Sequence, residues 1–180
     1  MMIQWDRVYK LEADEFSEDP NKYAEPDLIY ALSDLRLFTQ RKMRPSPVKG
    51  ALARFGGSTT SQHYVGESKE EHSRLSTGSD VFCEGPIFSI YSYLLYGKLF
   101  RGIGVYLDTT GPDGLPWVML HLDIRPFGFN NNLPLIWIAE KVYDPKKEKK
   151  VTKYRYPQSD SKYWKLFNDE RLYRDKLFAY

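Results

Sequence analysis

A hairpin written into residues 102–124 constrains this chain more than any other feature. Gly102 to Leu107 and Trp117 to Ile124 read as strands, and Thr109-Thr110-Gly111-Pro112-Asp113-Gly114 between them is a dense turn signal. The second run alternates with period two: Leu120, Leu122 and Ile124 share one face, and Met119, His121 and Asp123 share the other. The aliphatic face needs a core. The opposite face therefore presents an imidazole and a carboxylate from a rigid element, which is how preorganised sites are built.

Other elements follow from the same kind of pattern. Leu135 to Tyr143 predicts a further strand, Asp144 to Lys150 a charged hairpin turn, and Thr152 to Tyr156 the returning strand. Upstream, Glu25-Pro26-Asp27 opens a helix, with Leu28, Leu32, Leu35 and Phe38 as its apolar face. It should stop near Gln40, before Arg41-Lys42-Met43-Arg44 and the Pro45-Ser46-Pro47 break. Gly56 to Gly78 is rich in Gly, Ser and Thr and reads as a long loop, a length usually tied to function. It carries His63 and His72. Pro86 starts an apolar helix running to about Leu99, and Ser161 to Phe178 has helical spacing among many charges. The order predicts an α+β fold, a small antiparallel sheet flanked by helices. Residues 1–143 form its domain and residues 144–180 a basic, aromatic extension, packed on the domain or docking to a partner.

At 180 residues the chain fits one domain with such an extension. A formal net charge of +2 is too small to argue for nucleic acid. No apolar run is long enough to encode a membrane span. Met1 to Asp6 lack the basic-then-apolar layout of a secretory leader, so no signal peptide is expected. Cys83 is the only cysteine, which excludes an internal disulfide and any multi-cysteine zinc site; it reads as a small buried hydrophobe.

The residues that carry chemistry are Ser61-Gln62-His63, Ser79-Asp80-Val81-Phe82 and His121-Leu122-Asp123. Imidazole and carboxylate are natural zinc ligands, and a catalytic zinc keeps three protein ligands and one open position. Letter by letter each also has a plainer reading. His121 can be a hydrogen-bonded strand histidine, Asp80 a helix cap, and His72 a solvated residue of a charged loop.

Taken in order, the series is longer. Asp14-Glu15-Phe16, an amphipathic helix, Arg54 before a Gly-Ser-Thr loop, Ser61-Gln62-His63, Asp80-Val81-Phe82, Gly102-Ile103-Gly104-Val105-Tyr106 and His121-Leu122-Asp123-Ile124-Arg125 follow one another. This resembles the zinc D-Ala-D-Ala carboxypeptidase and murein endopeptidase family, its phage-encoded branch above all, over roughly residues 10–127. The resemblance implies the hedgehog/DD-peptidase fold, a Zn2+ cofactor and peptidoglycan stem peptides as substrate. It implies His63, Asp80 and His121 as the zinc ligands, with Arg54 meeting a peptide carboxylate. Asp123 would accept a proton in catalysis or orient a ligand. His63 and Asp80 are seventeen residues apart where the family has about seven. Either Gly66 to Ser73 loops out as an insertion, or His72, eight residues before Asp80, replaces His63. A leaderless member would be an endolysin or a virion-borne enzyme, in the bacterial host cytoplasm before lysis or within the virion. The alternative is a non-catalytic virion protein on the same fold. Such a protein would contact other virion proteins through Lys146 to Lys150, Trp164, Phe167, Tyr173 and their neighbours.

Overall fold

Strands β5 (Gly102–Tyr106) and β6 (Val118–Asp123) pair antiparallel at the centre of the sheet, with Gly104 opposite His121. The computed structural model describes residues 2–83, 90, 93–94, 97–106, 108–111, 114, 117–126 and 134–156. In chain order they form helices α1 (Pro20–Tyr23) and α2 (Pro26–Thr39), then strands β1 (Met43–Pro45), β2 (Arg54–Phe55), β3 (Tyr64–Gly66) and β4 (Gly78–Cys83). After β5 and β6 come β7 (Leu135–Asp144) and β8 (Lys149–Arg155).

The sheet has six strands in the order β1-β4-β6-β5-β7-β8 and is mixed, which corrects the expectation of a small antiparallel sheet. Every neighbouring pair is antiparallel except β5 and β7. The reason lies in where β6 ends. Its two edges are already taken by β4 and β5, so the next free edge is the far side of β5. Asp123 closes β6 beside Gly102, and Leu135 opens β7 beside the same Gly102, so β7 must run in the direction of β5. The Arg101 N–H donates to the Asp123 carbonyl and the Leu135 N–H to the Arg101 carbonyl, tying the three ends together.

One face of the sheet packs on α2. Val81, Ile103, Val105, Leu120, Leu122 and Ile136 meet Leu28, Ile29, Leu32 and Leu35 in one buried cluster. Pro26 sits in the first turn of α2, where its missing N–H costs nothing, and Gln40 ends the helix in the left-handed region. Phe38 is 54% exposed, against its expected place on the apolar face. At 100° per residue, ten residues leave it about 80° round from Leu28, off the buried stripe. It stacks instead on Tyr93.

The stretch expected to be a loop, 56–78, holds β3, which pairs parallel with β2, and the first residue of β4. Asp80 lies in mid-strand, so it is not a helix cap. β8 extends the sheet at the edge of β7, so the extension expected from residue 144 begins as part of the same sheet. Most of the helix expected from Pro86 and all of that expected from Ser161 lie outside the described residues. Among the described residues no helix is long and apolar enough to cross a membrane.

Candidate metal centre

The sheet face turned away from α2 carries one cross-strand row: Asp80 opposite His121, His121 opposite Gly104, Gly104 opposite Trp137. Asp80 and His121 are direct neighbours on adjacent strands, so their side chains meet. The third member comes from elsewhere. The turn between β2 and β3 lays His63 over them, its Nε2 2.9 Å from His121 Nδ1 and 3.4 Å from Asp80 Oδ1. His121 Nδ1 is 3.0 Å from the same Asp80 oxygen. These three form a His-Asp-His group able to hold a metal ion.

Each imidazole has its other nitrogen engaged. His63 Nδ1 faces the Leu52 carbonyl at 3.4 Å, and His121 Nε2 faces Asp123 Oδ2 at 3.1 Å. Both acceptors require a proton on the ring nitrogen they face, which fixes the tautomers and aims two nitrogen lone pairs and one carboxylate oxygen at a common point. Only a cation, a proton or a metal ion, reconciles three acceptors so placed. The residues fit a metal on this ground.

The electrostatics agree. Burial alone would raise the Asp80 carboxyl, but hydrogen bonds from His121 and His63 outweigh it and hold Asp80 well below the usual carboxylate range. Burial alone would lower His121, yet its bonds to Asp123 and Asp80 lift it to about 9, so the metal-free ring keeps a proton where the metal would sit. Asp123 is 0% exposed and is held down at about 2, burial being outweighed by Arg125 and His121. Arg125 grips it through Nε, 2.7 Å from Oδ1, and through Nη2 on Oδ2.

Two glycines make room for this arrangement. A Cβ on Gly102 would overlap the Asp123 carboxylate, and one on Gly104 would overlap the Trp137 indole. That is the physical content of the Gly-Ile-Gly sequence in β5.

The segment that His63 rests on and the loop that carries it are both pinned. Glu18 accepts hydrogen bonds from the backbone N–H groups of Gly50, Leu52 and Ala53, at 2.6, 3.2 and 3.0 Å. Leu52 is the residue whose carbonyl meets His63, and the Ala51 carbonyl accepts from the Asp80 N–H. Arg74 donates to the carbonyls of Thr59, Ser61 and Tyr64 and lies over the Tyr64 ring. Nothing local in the sequence marks Glu18 or Arg74, because their partners are far away in the chain. Trp137 was readable in principle: Ile136 and Ile138 point to the core, so Trp137 must point the other way.

The cluster forms the floor of an open cleft of about 610 Å³. Arg54 and Thr60 line it from β2 and the turn after it, and Tyr106, Trp137 and Tyr154 from β5, β7 and β8. Asp123 does not line it. His72 is not part of the cluster: it bridges to Gly66, and its ring meets Tyr23 edge-on at 5.4 Å. Gly66 to Ser73 folds out and back, returning where the Ser73 N–H donates to the Val65 carbonyl. Cys83 is buried on the core side.

Comparisons with models of protein families, with curated proteins and with solved structures find no match.

Proposed function

We propose that the cluster holds zinc and that the chain is a zinc-dependent peptidoglycan hydrolase, phage-encoded, cleaving an amide bond of the murein stem peptide or cross-link. The observation that carries this reading is the convergence of His63 Nε2, Asp80 Oδ1 and His121 Nδ1 at the floor of an open cleft. Two imidazoles and one carboxylate with a side open to solvent make the ligand count of a catalytic rather than a structural zinc. Bonds of about 2.0–2.2 Å place tetrahedral ligands about 3.3–3.5 Å apart; the separations of 2.9, 3.0 and 3.4 Å would open by a few tenths of an ångström to admit the ion. The same proposal includes the hedgehog/DD-peptidase fold, supported by the chain order His63, Asp80, Gly102-Ile103-Gly104, His121.

When bound, zinc supplies a Lewis acid that polarises a carbonyl and acidifies water. The chain's own groups do the rest. Asp123, sealed behind His121, is a positioning residue: it holds the Nε2 proton and so keeps Nδ1 free as a ligand. Its burial removes it from proton transfer to substrate. Arg54, exposed at the rim, offers a planar guanidinium to the carboxylate end of a stem peptide.

The test is direct. Purified full-length chain should carry about one zinc per molecule, and chelation should abolish release of D-alanine or of cross-linked muropeptides. Protein that takes up no metal and cuts no murein substrate overturns the proposal.

One observation favours a second reading. Among the described residues Asp80 is the only carboxylate lining the cleft, and burial pushes the Tyr106 phenol up, so neither is placed to accept a substrate proton. A virion protein that keeps the metal for structure, without turnover, has this arrangement. Zinc bound at full occupancy with no hydrolysis selects it.

A further inference from the structure

The N-terminal segment and the C-terminal end of α2 enclose a second pocket. It has a volume of about 240 Å³ and is lined by Tyr9, Lys10, Arg36, Gln40, Arg41 and Lys42. None of these residues lines the metal cleft, and α2 covers the sheet face opposite to the metal row. Two distant stretches of chain meet to form it. The Tyr9 N–H donates to Ser33 Oγ of α2 at 2.7 Å and the Tyr9 hydroxyl to Gln40 Oε1 at 3.4 Å, which lays Lys10 beside the end of the helix. Gln40 takes the left-handed conformation that ends α2, and Arg41 and Lys42 follow it onto the same pocket. Lys10 is left-handed too, at φ 51°, which sterics disfavour for a residue with a Cβ.

Four of the six lining residues are cations and none is an acid. Cations do gather at helix C-termini, where the carbonyl dipoles amount to about half a negative charge. That accounts for one of the four at most. One carboxylate stands near the group: Glu15 Oε2 is 3.6 Å from Arg36 Nη1, and that nitrogen is buried with no hydrogen bond. The same Glu15 oxygen already accepts from the Glu12 N–H at 3.0 Å. Lys10, Arg41 and Lys42 pair with no carboxylate among the described residues. The Lys10 ammonium lies 5.1 Å over the Tyr9 ring, which holds it at the pocket without cancelling its charge. More than two positive charges therefore remain on one small cavity. The Arg36 side chain, only 14% exposed, supplies one of them from within the fold.

From this convergence we infer that the pocket binds a phosphate dianion, free or as the terminal group of a larger molecule. Neither a metal nor hydrolysis is needed for it. A carboxylate would cancel one charge and leave most of the field standing. A phosphate monoester, with its second ionisation at about pH 6, carries close to two charges near neutrality. Its three oxygens accept from a guanidinium fork and from ammonium groups at once. Gln40 gives one amide N–H to the Leu37 carbonyl and has a second to offer. The volume falls short of the roughly 300–1,000 Å³ of pockets that enclose drug-sized ligands. A larger ligand therefore enters by its phosphate and not by its whole body. A nucleic-acid backbone carries one charge per phosphate and is met by a longer run of cations than this pocket holds.

The experiment uses the full-length chain treated with a chelator, so that phosphate cannot bind through a metal, in phosphate-free buffer of low salt near neutral pH. Calorimetric titration with inorganic phosphate should show saturable binding, about tenfold or more tighter than acetate. Lys10→Gln combined with Lys42→Gln removes two exposed charges from the pocket and should weaken phosphate binding by about tenfold or more. Lys146→Gln with Lys147→Gln removes the same charge from the β7–β8 turn and should change it less than about twofold, as should Arg54→Gln in the cleft. All three variants should keep the wild-type thermal midpoint, since the side chains are exposed. Vesicles of phosphatidate, set against vesicles of phosphatidylcholine, separate the sources. Phosphatidate binding that free phosphate competes away places the group on a lipid, and phosphate binding without it places the group on a soluble molecule. Absence of saturation, acetate bound as tightly as phosphate, equal losses from the pocket and turn variants, or loss through Arg54→Gln alone each overturns the site. So does oligothymidylate lacking a terminal phosphate, if it binds more tightly through the same two lysines.

Discussion

Oδ2 of Asp123 lies 3.1 Å from Nε2 of His121, on the opposite side of the ring from the atom that points into the metal cluster. The carboxylate would therefore act on a bound metal through the imidazole. Asp123→Asn removes the charge that holds the Nε2 proton and leaves Arg125 without its ion partner. Zinc affinity should fall about 10–100-fold, measured by competition with a chromophoric chelator. Unchanged affinity would show that the ring needs no such support.

His63→Ala and His72→Ala separate the two histidines of the loop. His63→Ala deletes a ligand atom, so the dialysed protein should lose its zinc by elemental analysis. His72→Ala should keep it, with a stability loss of about 1 kcal/mol from the contact with Tyr23.

Metal-free protein should show a characteristic dependence on pH. His121 is raised in the folded state to about 9, so its contribution is full below about pH 6.5 and is lost as pH rises through 9. Asp80 and Asp123 are lowered, so theirs is full above about pH 4 and is lost on acidification. Chelated protein should therefore be most stable between about pH 4 and 6.5 in denaturant melts. On the proposed zinc binding, the ion would displace the proton on His121, so the zinc-loaded chain should keep its stability up to pH 9. A chelated protein more stable at pH 9 than at pH 6 would contradict the arrangement.

Gly102→Ala places a methyl group where the Asp123 carboxylate sits. Overpacking of this kind costs about 1–3 kcal/mol, and here it should also weaken zinc binding, because the displaced carboxylate is the one that orients His121. A thermal melt and a zinc titration on the same sample read both effects.

Burial pushes the Cys83 thiol up to about 12, and the side chain lies within the core. Thiol reagents should leave the native chain untouched at pH 8 and modify it promptly in denaturant, as a mass shift would report.

What could be read in the sequence was periodicity. α2, the β5–β6 hairpin and the β7–β8 hairpin each carry a repeating pattern long enough to stand out, and the face that presents His121 followed from alternation in β6. β1 and β2 could not be read, since two or three residues contain no period. β4 was hidden by Gly78-Ser79-Asp80, which looks like the tail of the preceding loop until it is paired with β6. The mixed sheet was out of reach because strand direction depends on which edge is free, a property of the assembled sheet. For the site, it was the family resemblance that implied His63, Asp80 and His121, with His72 as the alternative to His63, while the placing of either histidine and the burial of Asp123 needed three-dimensional neighbours. Glu18 acts on backbone N–H groups 32 to 35 residues away and Arg74 on carbonyls 10 to 15 residues away, for which composition carries no trace.

Glu18 also ties the metal centre to the beginning of the chain. The turn it clamps must be in place before His63 and Asp80 are held, yet His121 lies more than a hundred residues further on. During synthesis, then, the three donor atoms cannot converge until both distant segments have emerged and docked, so an ion held by all three would be fitted to a finished molecule. Glu18→Gln, which leaves the core residues Ile3, Leu11 and Phe16 in place, should register as a leaking metal before it registers as a lost strand.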